Sequence, residues 1–374
     1  MQTIWIEEEQ LAESLARNEA FRKGELEEYP LMWIIVPNAR PGPGIDEPDN
    51  EEKMWTDVDY VIASIEDQLC RTYYAGDSLP VFNPWLGPDQ FAAWLGADIT
   101  LKPKDFTSWV KPFVDDWEKY PELTIASDNQ WWKLYLDILR ASVEAGKGKW
   151  VTGYPDLHTG IDGLCAIRSC EKLMIDMLAI PDIIHRAMKQ MTELWKYVVD
   201  VVSDIIMPAG QGSSNWTMGW SEKRFLCIGQ NDFSCCISPE MFTEFCLQDN
   251  VECCNYVDHT LYHLDGPDAV RHLPKLLELE NLDAIQWIQG AGNPPPSKWL
   301  DLLSRIQDAG KSVQVCYGPN RSNDTDLIRE IDILCSGLDP RKLFFCAVVD
   351  KGEEANALVE HAKQVCSGKK SGFC

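Results

Sequence analysis

Eight apolar, β-rich runs alternate with helical patterns along this chain of 374 residues. Each run is nearly continuous in apolar residues, which is typical of parallel strands buried on both faces. The runs predict strands at Leu31–Pro37, Leu79–Gly87, Lys149–Gly160, Arg224–Asp232, His259–Gly266, Asp283–Gly290, Ser312–Gly318 and Leu343–Val349. Eight strands with intervening helices predict an α/β fold of the (β/α)₈ TIM barrel type, and an open doubly wound sheet is the alternative.

Further helical segments precede and interrupt this pattern. Residues 1–30 predict an N-terminal helical extension, and residues 88–148 predict a Trp-rich helical insertion that would cover the site. Residues 161–208 predict two long helices that are broken at Ile180-Pro181, because proline does not continue a helix. The barrel with these additions accounts for the whole chain, so residues 1–374 are expected to form a single domain.

The charge balance excludes two classes of partner. With 59 acidic and 34 basic side chains, the formal net charge is −25. Nucleic acid and anionic membranes would be repelled, so neither is expected as a partner. No apolar run of about 18 residues predicts a membrane span, and the opening residues, MQTIWIEEE, lack a secretory signal pattern. Most of the 14 cysteines lie in apolar segments and are expected to be reduced core residues. We therefore expect a protein of a reducing cytoplasm, such as the cytoplasm of an anaerobe.

Candidate site residues follow from the barrel itself, because the carboxyl ends of the strands form the active site of such folds. Asp232 and His158 are the candidates for catalysis, although Asp232 would equally cap the helix that follows it. Tryptophans such as Trp85 and Trp216 would form an aromatic wall for a quaternary ammonium or a flat ligand, while core packing explains most of the 15 tryptophans. The candidates for substrate binding are Asn83, Trp85, Gln230, Gln286, Trp287 and Tyr317.

The most specific candidate motif for metal binding is the pair His263 and Asp265. They are separated by one residue on a predicted strand, so their side chains would share the face that points to the barrel mouth. With a thiolate from another strand they would form a three-ligand Zn²⁺ site with an open position. Cys346 is the expected third ligand, and Cys316 is its competitor. The alternatives are an acid–base pair without metal and a hydrogen-bonded pair that orders the loop.

Several segments after Lys149 share the layout of a known family, namely SPEMFTEF, YHLDGPDAVRHLPKLLELENLDAIQWIQGAGN, KWLDLLSRIQDAGK and EEANALVEHA. They resemble the uroporphyrinogen decarboxylase superfamily, whose (β/α)₈ barrel agrees with the strand pattern. Its decarboxylases bind a highly anionic tetrapyrrole through an arginine-rich segment after the first strand and an aspartate after the second. Here VPNARPGPG contains only Arg40, and FNPWLGPDQ lacks an acid at the strand end, so decarboxylation of uroporphyrinogen is not expected.

The other branch of that superfamily contains corrinoid-dependent methyltransferases. Their zinc is held by an H-x-C pattern on the fifth strand and a Cys on the eighth. His263 and Cys346 match these positions, whereas Asp265 replaces the first Cys. The resemblance thus implies Zn²⁺ on His263, Asp265 and Cys346, and a corrinoid (cobamide) that is carried by a partner protein. The harder ligand set favours an O- or N-methyl donor over a thiol.

The expected activity is methyl transfer between a small methylated compound and a corrinoid protein. One alternative is a decarboxylase or lyase of a small acid that uses His263 and Asp265 as an acid–base pair. Another is a non-catalytic barrel that binds a tetrapyrrole or a different ligand. The sequence is compatible with a homodimer and does not decide the oligomeric state.

Overall fold

Parallel strands dominate the computed structural model, which describes residues 1, 3–228, 231–318 and 325–369. The strands are β1 (Leu31–Val36), β2 (Tyr73–Gly76), β3 (Val81–Phe82), β4 (Asp98–Lys102), β5 (Thr107–Lys111), β6 (Val151–Thr152), β7 (Phe225–Ile228), β8 (His259–Asp265), β9 (Ala284–Ile288), β10 (Ser312–Tyr317) and β11 (Leu343–Val348). Each of the eight runs predicted from the sequence contains one of these strands.

Helices make up most of the remaining chain. The α-helices are α1 (Glu8–Lys23), α2 (Lys53–Thr56), α3 (Val58–Arg71), α4 (Gln90–Trp94), α5 (Gln130–Ala145), α6 (Gly160–Arg168), α7 (Cys170–Ala179), α8 (Pro181–Ile206), α9 (Pro239–Phe245), α10 (Leu247–Cys254), α11 (Gly266–Ala269), α12 (Leu273–Leu277), α13 (Leu300–Asp308), α14 (Leu327–Gly337) and α15 (Gly352–Lys369). Short 3₁₀ helices lie at Pro103–Asp105, Trp117–Lys119, Met207–Ala209, Asp232–Cys236, Val270–His272, Pro296–Trp299 and Pro340–Lys342. In the described residues, no helix is both long and apolar enough to cross a membrane.

The central sheet has seven strands in the order β2-β1-β11-β10-β9-β8-β7. All neighbours in it run parallel except β2, which is antiparallel to β1. The strands β3 and β6 pair in parallel with each other as a separate ladder. Because the parallel strands run in one direction, the residues that follow them gather at one edge, which is where ligands bind in such folds.

The expected closed barrel is not found as a continuous hydrogen-bonded ring in the described part of the chain. The antiparallel strand β2 occupies the edge of β1 at which the next barrel strand would pair. The strands β3 and β6 contain only two residues each, so their ladder does not extend to the main sheet. Loop contacts bridge the space between β6 and β7, where Tyr154 N donates to Ser214 O (2.8 Å) and Phe225 N donates to Ser213 Oγ (3.0 Å).

The predicted helical additions are present with differences. The N-terminal helix is α1, but residues 98–111 form the antiparallel pair β4–β5 where a helical insertion was expected. In β4, Ile99 and Leu101 are buried and Asp98 and Thr100 are exposed, and this alternation stabilises a strand. The predicted break at Ile180-Pro181 is confirmed, whereas Ser169, at φ 78°, divides the first predicted helix into α6 and α7.

The cysteines also differ from the expected set of free thiols. Cys165 and Cys170, at the junction of α6 and α7, form a disulfide. The other cysteines that the structure describes do not form disulfides. Six of them are buried, which agrees with their predicted role as small core residues.

A buried ion pair fastens α1 to the sheet. Arg17 Nε donates to Asp77 Oδ1 at 2.8 Å, and Met32 N of β1 donates to Asp77 Oδ2 at 2.8 Å. The Arg17 guanidinium also lies over the Tyr29 ring, 3.7 Å from its centroid. Burial raises the pKa of Asp77 to about 6, although the charge of Arg17 opposes this rise.

Removal of this cation is expected to destabilise the protein. In Arg17→Ala, Asp77 would remain buried without its charge partner, and we expect the free energy of unfolding to fall by about 3 kcal/mol. The matched control is Arg140→Ala, because Arg140 pairs with Asp137 on the surface, and its loss should cost less than about 0.5 kcal/mol. Urea unfolding of both variants measures these values. Equal, small losses would contradict the structural role of the buried pair.

A buried carboxyl between α8 and α10 makes stability depend on pH. Asp249 Oδ1 accepts a hydrogen bond from Thr192 Oγ1 at 2.5 Å, and burial raises the pKa of Asp249 to about 6. The unfolded chain titrates near 4, so the folded protein holds this proton up to a higher pH. Its stability should therefore decrease as pH rises from about 4 to 6.

Comparison of Asp249→Asn with the natural protein tests whether Asp249 makes the protein less stable as pH rises. We expect the variant to gain stability relative to the natural protein between pH 4.5 and pH 7, because it loses no proton in that range. The exposed Asp98 supplies the control Asp98→Asn, which should shift the urea midpoint equally at both pH values. A relative stability of Asp249→Asn that falls with rising pH would overturn the assignment.

Candidate functional site

Two strand ends bring three potential metal ligands together. His263 and Asp265 are on β8, and Asp232 opens the 3₁₀ helix that follows β7. Their ligand atoms lie within 4.8 Å of one another, and this is the one such group of three in the described residues. A divalent ion binds nitrogen and oxygen ligands at about 2.0–2.2 Å, so small side-chain rotations would complete the coordination of one ion. The donor set of one imidazole and two carboxylates therefore fits a metal.

A glutamine orients the imidazole of this cluster. His263 Nδ1 lies 2.6 Å from Gln286 Oε1, on the neighbouring strand β9. Gln286 Nε2 in turn donates to Cys316 Sγ at 3.5 Å. With the proton on Nδ1, the other ring nitrogen, Nε2, has its lone pair available for a metal. Gln286, predicted to bind substrate, thus contacts and orients His263, a potential metal ligand.

The aspartate from the 3₁₀ helix is positioned by a carboxyl that the sequence analysis missed. Asp162, on α6, accepts hydrogen bonds from the backbone N of Asp232 (2.8 Å) and of Phe233 (2.9 Å). Burial and the charge of Asp232 raise the pKa of Asp162 to about 7. The available signal was an acidic residue in the first turn of the helix after a predicted site strand.

The carboxylates of the cluster repel one another. Burial raises the pKa of Asp265, and the charge of Asp232 raises it further, whereas His263 opposes the rise. A bound cation would relieve this repulsion, because each oxygen would then face a positive charge. The electrostatics therefore favour the same ligand as the geometry does.

A cavity of about 510 Å³ lies beside this cluster, and we call it the aromatic pocket. Its aromatic and polar lining includes Trp55, Tyr60, Asn83, Trp85, Asp156 and Trp216. Trp216 connects it with the cluster, since its ring stands edge-on to the His263 ring with the centroids 5.0 Å apart. Pro103 and Phe106 also line it, so the segment between β4 and β5 covers part of the pocket as expected of this insertion.

The predicted residues Asn83 and Trp85 thus lie in the aromatic pocket, and His158 lies next to it. His158 Nε2 is 3.4 Å from Asp156 Oδ2. Burial by itself would lower the pKa of His158, but the charges of Asp156, Asp162 and Asp232 raise it to about 9. A protonated His158 therefore balances the charge of Asp156 at neutral pH.

Cys346, the expected third zinc ligand, lies outside the metal-ligand cluster. It is 1% exposed and packs in an apolar cluster with Trp33, Phe344 and side chains of α1. Its Sγ accepts a hydrogen bond from Gln314 Nε2 at 3.1 Å, and burial raises the pKa of its thiol. The competitor Cys316 contacts Gln286 and is likewise not part of the cluster. The third member of the group of potential ligands is Asp232.

Two other predicted residues face the helices and not the site. Trp287 is fully buried against Trp299, with ring centroids 5.0 Å apart. The Tyr317 hydroxyl donates to Glu330 Oε2 of α14 at 2.6 Å. Side chains alternate between the faces of a strand, so Trp287 points away from the side of Gln286. Gln230 lies outside the described residues.

Comparisons with known proteins add a likeness of fold. No family model matches this chain, and no curated protein matches it in sequence. Among solved structures, it is similar to a methyltransferase from Methanosarcina mazei with a TM-score of 0.57 and 13% sequence identity. The match covers 94% of this chain and 98% of that protein. The likeness extends over most of the chain, and at this identity it establishes the fold alone.

Proposed function

We propose that this protein is an enzyme that transfers a methyl group between a small methylated compound and a corrinoid protein, with the aid of a divalent metal ion. The observation that carries the proposal is the cluster of Asp232, His263 and Asp265 at the carboxyl ends of β7 and β8, beside the aromatic pocket. The fold shared with a methyltransferase and the sequence resemblance described above support the class of reaction. The arrangement of the strands is proposed to be an incompletely hydrogen-bonded (β/α)₈ barrel.

The proposed metal is Zn²⁺, held by Asp232, His263 and Asp265. Three protein ligands leave a position for substrate, as in catalytic zinc sites. When bound, the ion would act as a Lewis acid on an oxygen or nitrogen of the methyl donor. Because this set contains no thiolate, it also suits Mn²⁺ or Fe²⁺, which the metal test below includes.

The protein residues around the ion have separate tasks. Gln286 fixes the imidazole of His263 through Nδ1, and Asp162 fixes the backbone of Asp232. Outer partners of this kind orient metal ligands and maintain their affinity. Asp156 pairs with His158 through Oδ2, and its task is to bind the methyl donor in the aromatic pocket. In this proposal Asp232 is a metal ligand, and His158 is the residue that positions Asp156.

The group that exchanges the methyl with the small compound is proposed to be a cobamide, a cobalt corrinoid, carried by a partner protein. This part rests on the resemblance of the segments between Ser238 and Ala362 to corrinoid-dependent methyltransferases. A cytoplasmic location remains a prediction of the sequence.

Metal binding should depend on Asp232 and not on Cys346. We expect the natural protein to bind about one Zn²⁺, Mn²⁺ or Fe²⁺ per chain after anaerobic purification. His263→Ala and Asp232→Asn should lose the ion, because the first removes the imidazole and the second removes the carboxylate charge. Cys346→Ser is the matched control and should retain the ion, since Cys346 lies outside the cluster. Elemental analysis and competition with a chromophoric chelator measure both the stoichiometry and the affinity.

Two outcomes would contradict this ligand set. The first is loss of metal in Cys346→Ser together with retention in Asp232→Asn, which would restore the ligands expected from the sequence. The second is a folded protein that binds none of the three ions, which would favour a metal-free acid–base enzyme. Circular dichroism and the urea midpoint of each variant show that it is folded.

Removal of the glutamine that holds His263 should weaken metal binding without abolishing it. In Gln286→Leu the imidazole loses its partner at Nδ1, so we expect the dissociation constant of the metal to rise about tenfold to 100-fold. Methyl transfer from candidate O- and N-methyl donors to a Co(I) corrinoid should fall with metal occupancy and recover when excess ion is added. An unchanged dissociation constant would show that Gln286 does not orient the ligand.

A further inference from the structure

The walls of the aromatic pocket are formed by large π surfaces. Trp55 follows the loop after β1, and its ring lies 5.4 Å from that of Trp85, which follows β3, measured between centroids. Tyr60, on α3, and Trp216, beside His263, complete an aromatic lining that is drawn from four separate segments. Such faces attract cations through the ring quadrupole and are also compatible with flat, neutral ligands.

The charge of the pocket decides between these two classes. Asp156 is the one charged side chain among the described residues that line it, and neither lysine nor arginine is present in that lining. Asp156 is 8% exposed, and its Oδ1 atom has no hydrogen-bond partner. His158 is protonated at neutral pH and pairs with Asp156 Oδ2, but Asp162 and Asp232 also act on it, so the acidic groups here outnumber the imidazolium. A buried carboxylate oxygen without a partner, such as Oδ1, favours a ligand that supplies positive charge.

A second unpartnered acceptor lies in the same wall. Asn83 Oδ1 is buried without a hydrogen-bond partner, and Asn83 lines the pocket. Gly153 leaves room for it, because a Cβ at that position would come 2.0 Å from Asn83 Oδ1. The residues that line the pocket thus supply aromatic faces and two buried oxygens without hydrogen-bond partners, and the described lining contains neither lysine nor arginine.

We propose that the aromatic pocket binds a methylated ammonium group, so that the methyl donor of this enzyme is a small N-methylated cation. Trp55, Tyr60, Trp85 and Trp216 would surround the N-methyl groups, and Asp156 would balance the charge. In the transfer step, Co(I) of the corrinoid would attack an N-methyl carbon, the C–N bond would break with its electron pair staying on nitrogen, and the neutral amine would leave. A fully substituted ammonium nitrogen has no lone pair, so the ion proposed above would bind an oxygen of the donor and not this nitrogen. The binding step stands on the pocket alone, and the fate of the methyl group rests on the proposed function.

A pair of isosteres tests the charge preference directly. The probe is choline, and its control is the neutral alcohol in which a tert-butyl carbon replaces the ammonium nitrogen. Isothermal titration of the full chain, with and without Zn²⁺, should give a dissociation constant for choline that is at least about tenfold lower than that of the neutral control. Equal affinities, or tighter binding of the neutral compound, would overturn the proposal.

Variants assign the binding to this pocket. Trp85→Leu should weaken choline about tenfold and the neutral control much less, while Trp85→Phe should retain part of the preference. Asp156→Asn should reduce the preference for the cation. Trp109→Leu is the matched control, because Trp109 is half exposed on β5 and does not line the pocket. A preference that survives both Trp85→Leu and Asp156→Asn would place the binding elsewhere and contradict the proposal.

The binding and transfer experiments fail in distinguishable ways. Selective binding of choline without methyl transfer from any N- or O-methyl donor would contradict the proposed function and leave the pocket assignment supported. Methyl transfer from a neutral aryl methyl ether, with no selective binding of choline, would support the proposed function and overturn the assignment of the substrate class.

Discussion

The alternation of side chains along parallel strands is the constraint on which the site depends. On β8, His263 and Asp265 share a face at the carboxyl end of the strand. Gln286 on β9 is the register partner of His263 and therefore reaches its imidazole. The same alternation sends Trp287 into the layer of helices, where it packs against Trp299. A shift of one residue in the register of β9 would exchange these two roles.

Acidic groups are concentrated where the strands end, and the protein balances them in two ways. His158 carries a proton at neutral pH because several aspartates surround it, and this charge offsets Asp156. Asp162 instead uses its oxygens to hold the backbone that presents Asp232. The cluster of Asp232, His263 and Asp265 places two carboxylates beside one imidazole, and this is the reason for proposing a divalent ion there. In the aromatic pocket beside it, Asp156 Oδ1 has no hydrogen-bond partner, and the proposal of a cationic substrate rests in part on this oxygen.

Much of the fold follows from local sequence, since apolar runs of the right length and spacing specify buried strands. All eight predicted runs contain strands, and the pair His263 and Asp265 was recognised from its spacing. The departure from a closed ring was not predictable, because the pairing of β2 with β1 is a tertiary choice that the short strand does not encode. The hairpin of β4 and β5 was missed because aromatic residues on either side of it suggested a continuous helical insertion.

The third member of the potential metal site illustrates the same limit. Cys346 was chosen from a family pattern and its position near a strand end, but its depth within the sheet depends on the stagger between strands. Asp232 comes from a 3₁₀ helix whose position is fixed by Asp162, at a separation of 70 residues. Trp55 and Tyr60 reach the aromatic pocket from α2 and α3, outside the strand-end rule that selected Asn83 and Trp85.

The coordination of the bound ion is the most direct test of this account. X-ray absorption of the zinc-loaded protein measures the ligand elements and their distances from the ion. With Asp232, His263 and Asp265 as ligands, the spectrum should show only nitrogen and oxygen neighbours at about 2.0–2.2 Å. A sulfur neighbour at about 2.3 Å would show that a cysteine binds the metal and would contradict the site described above.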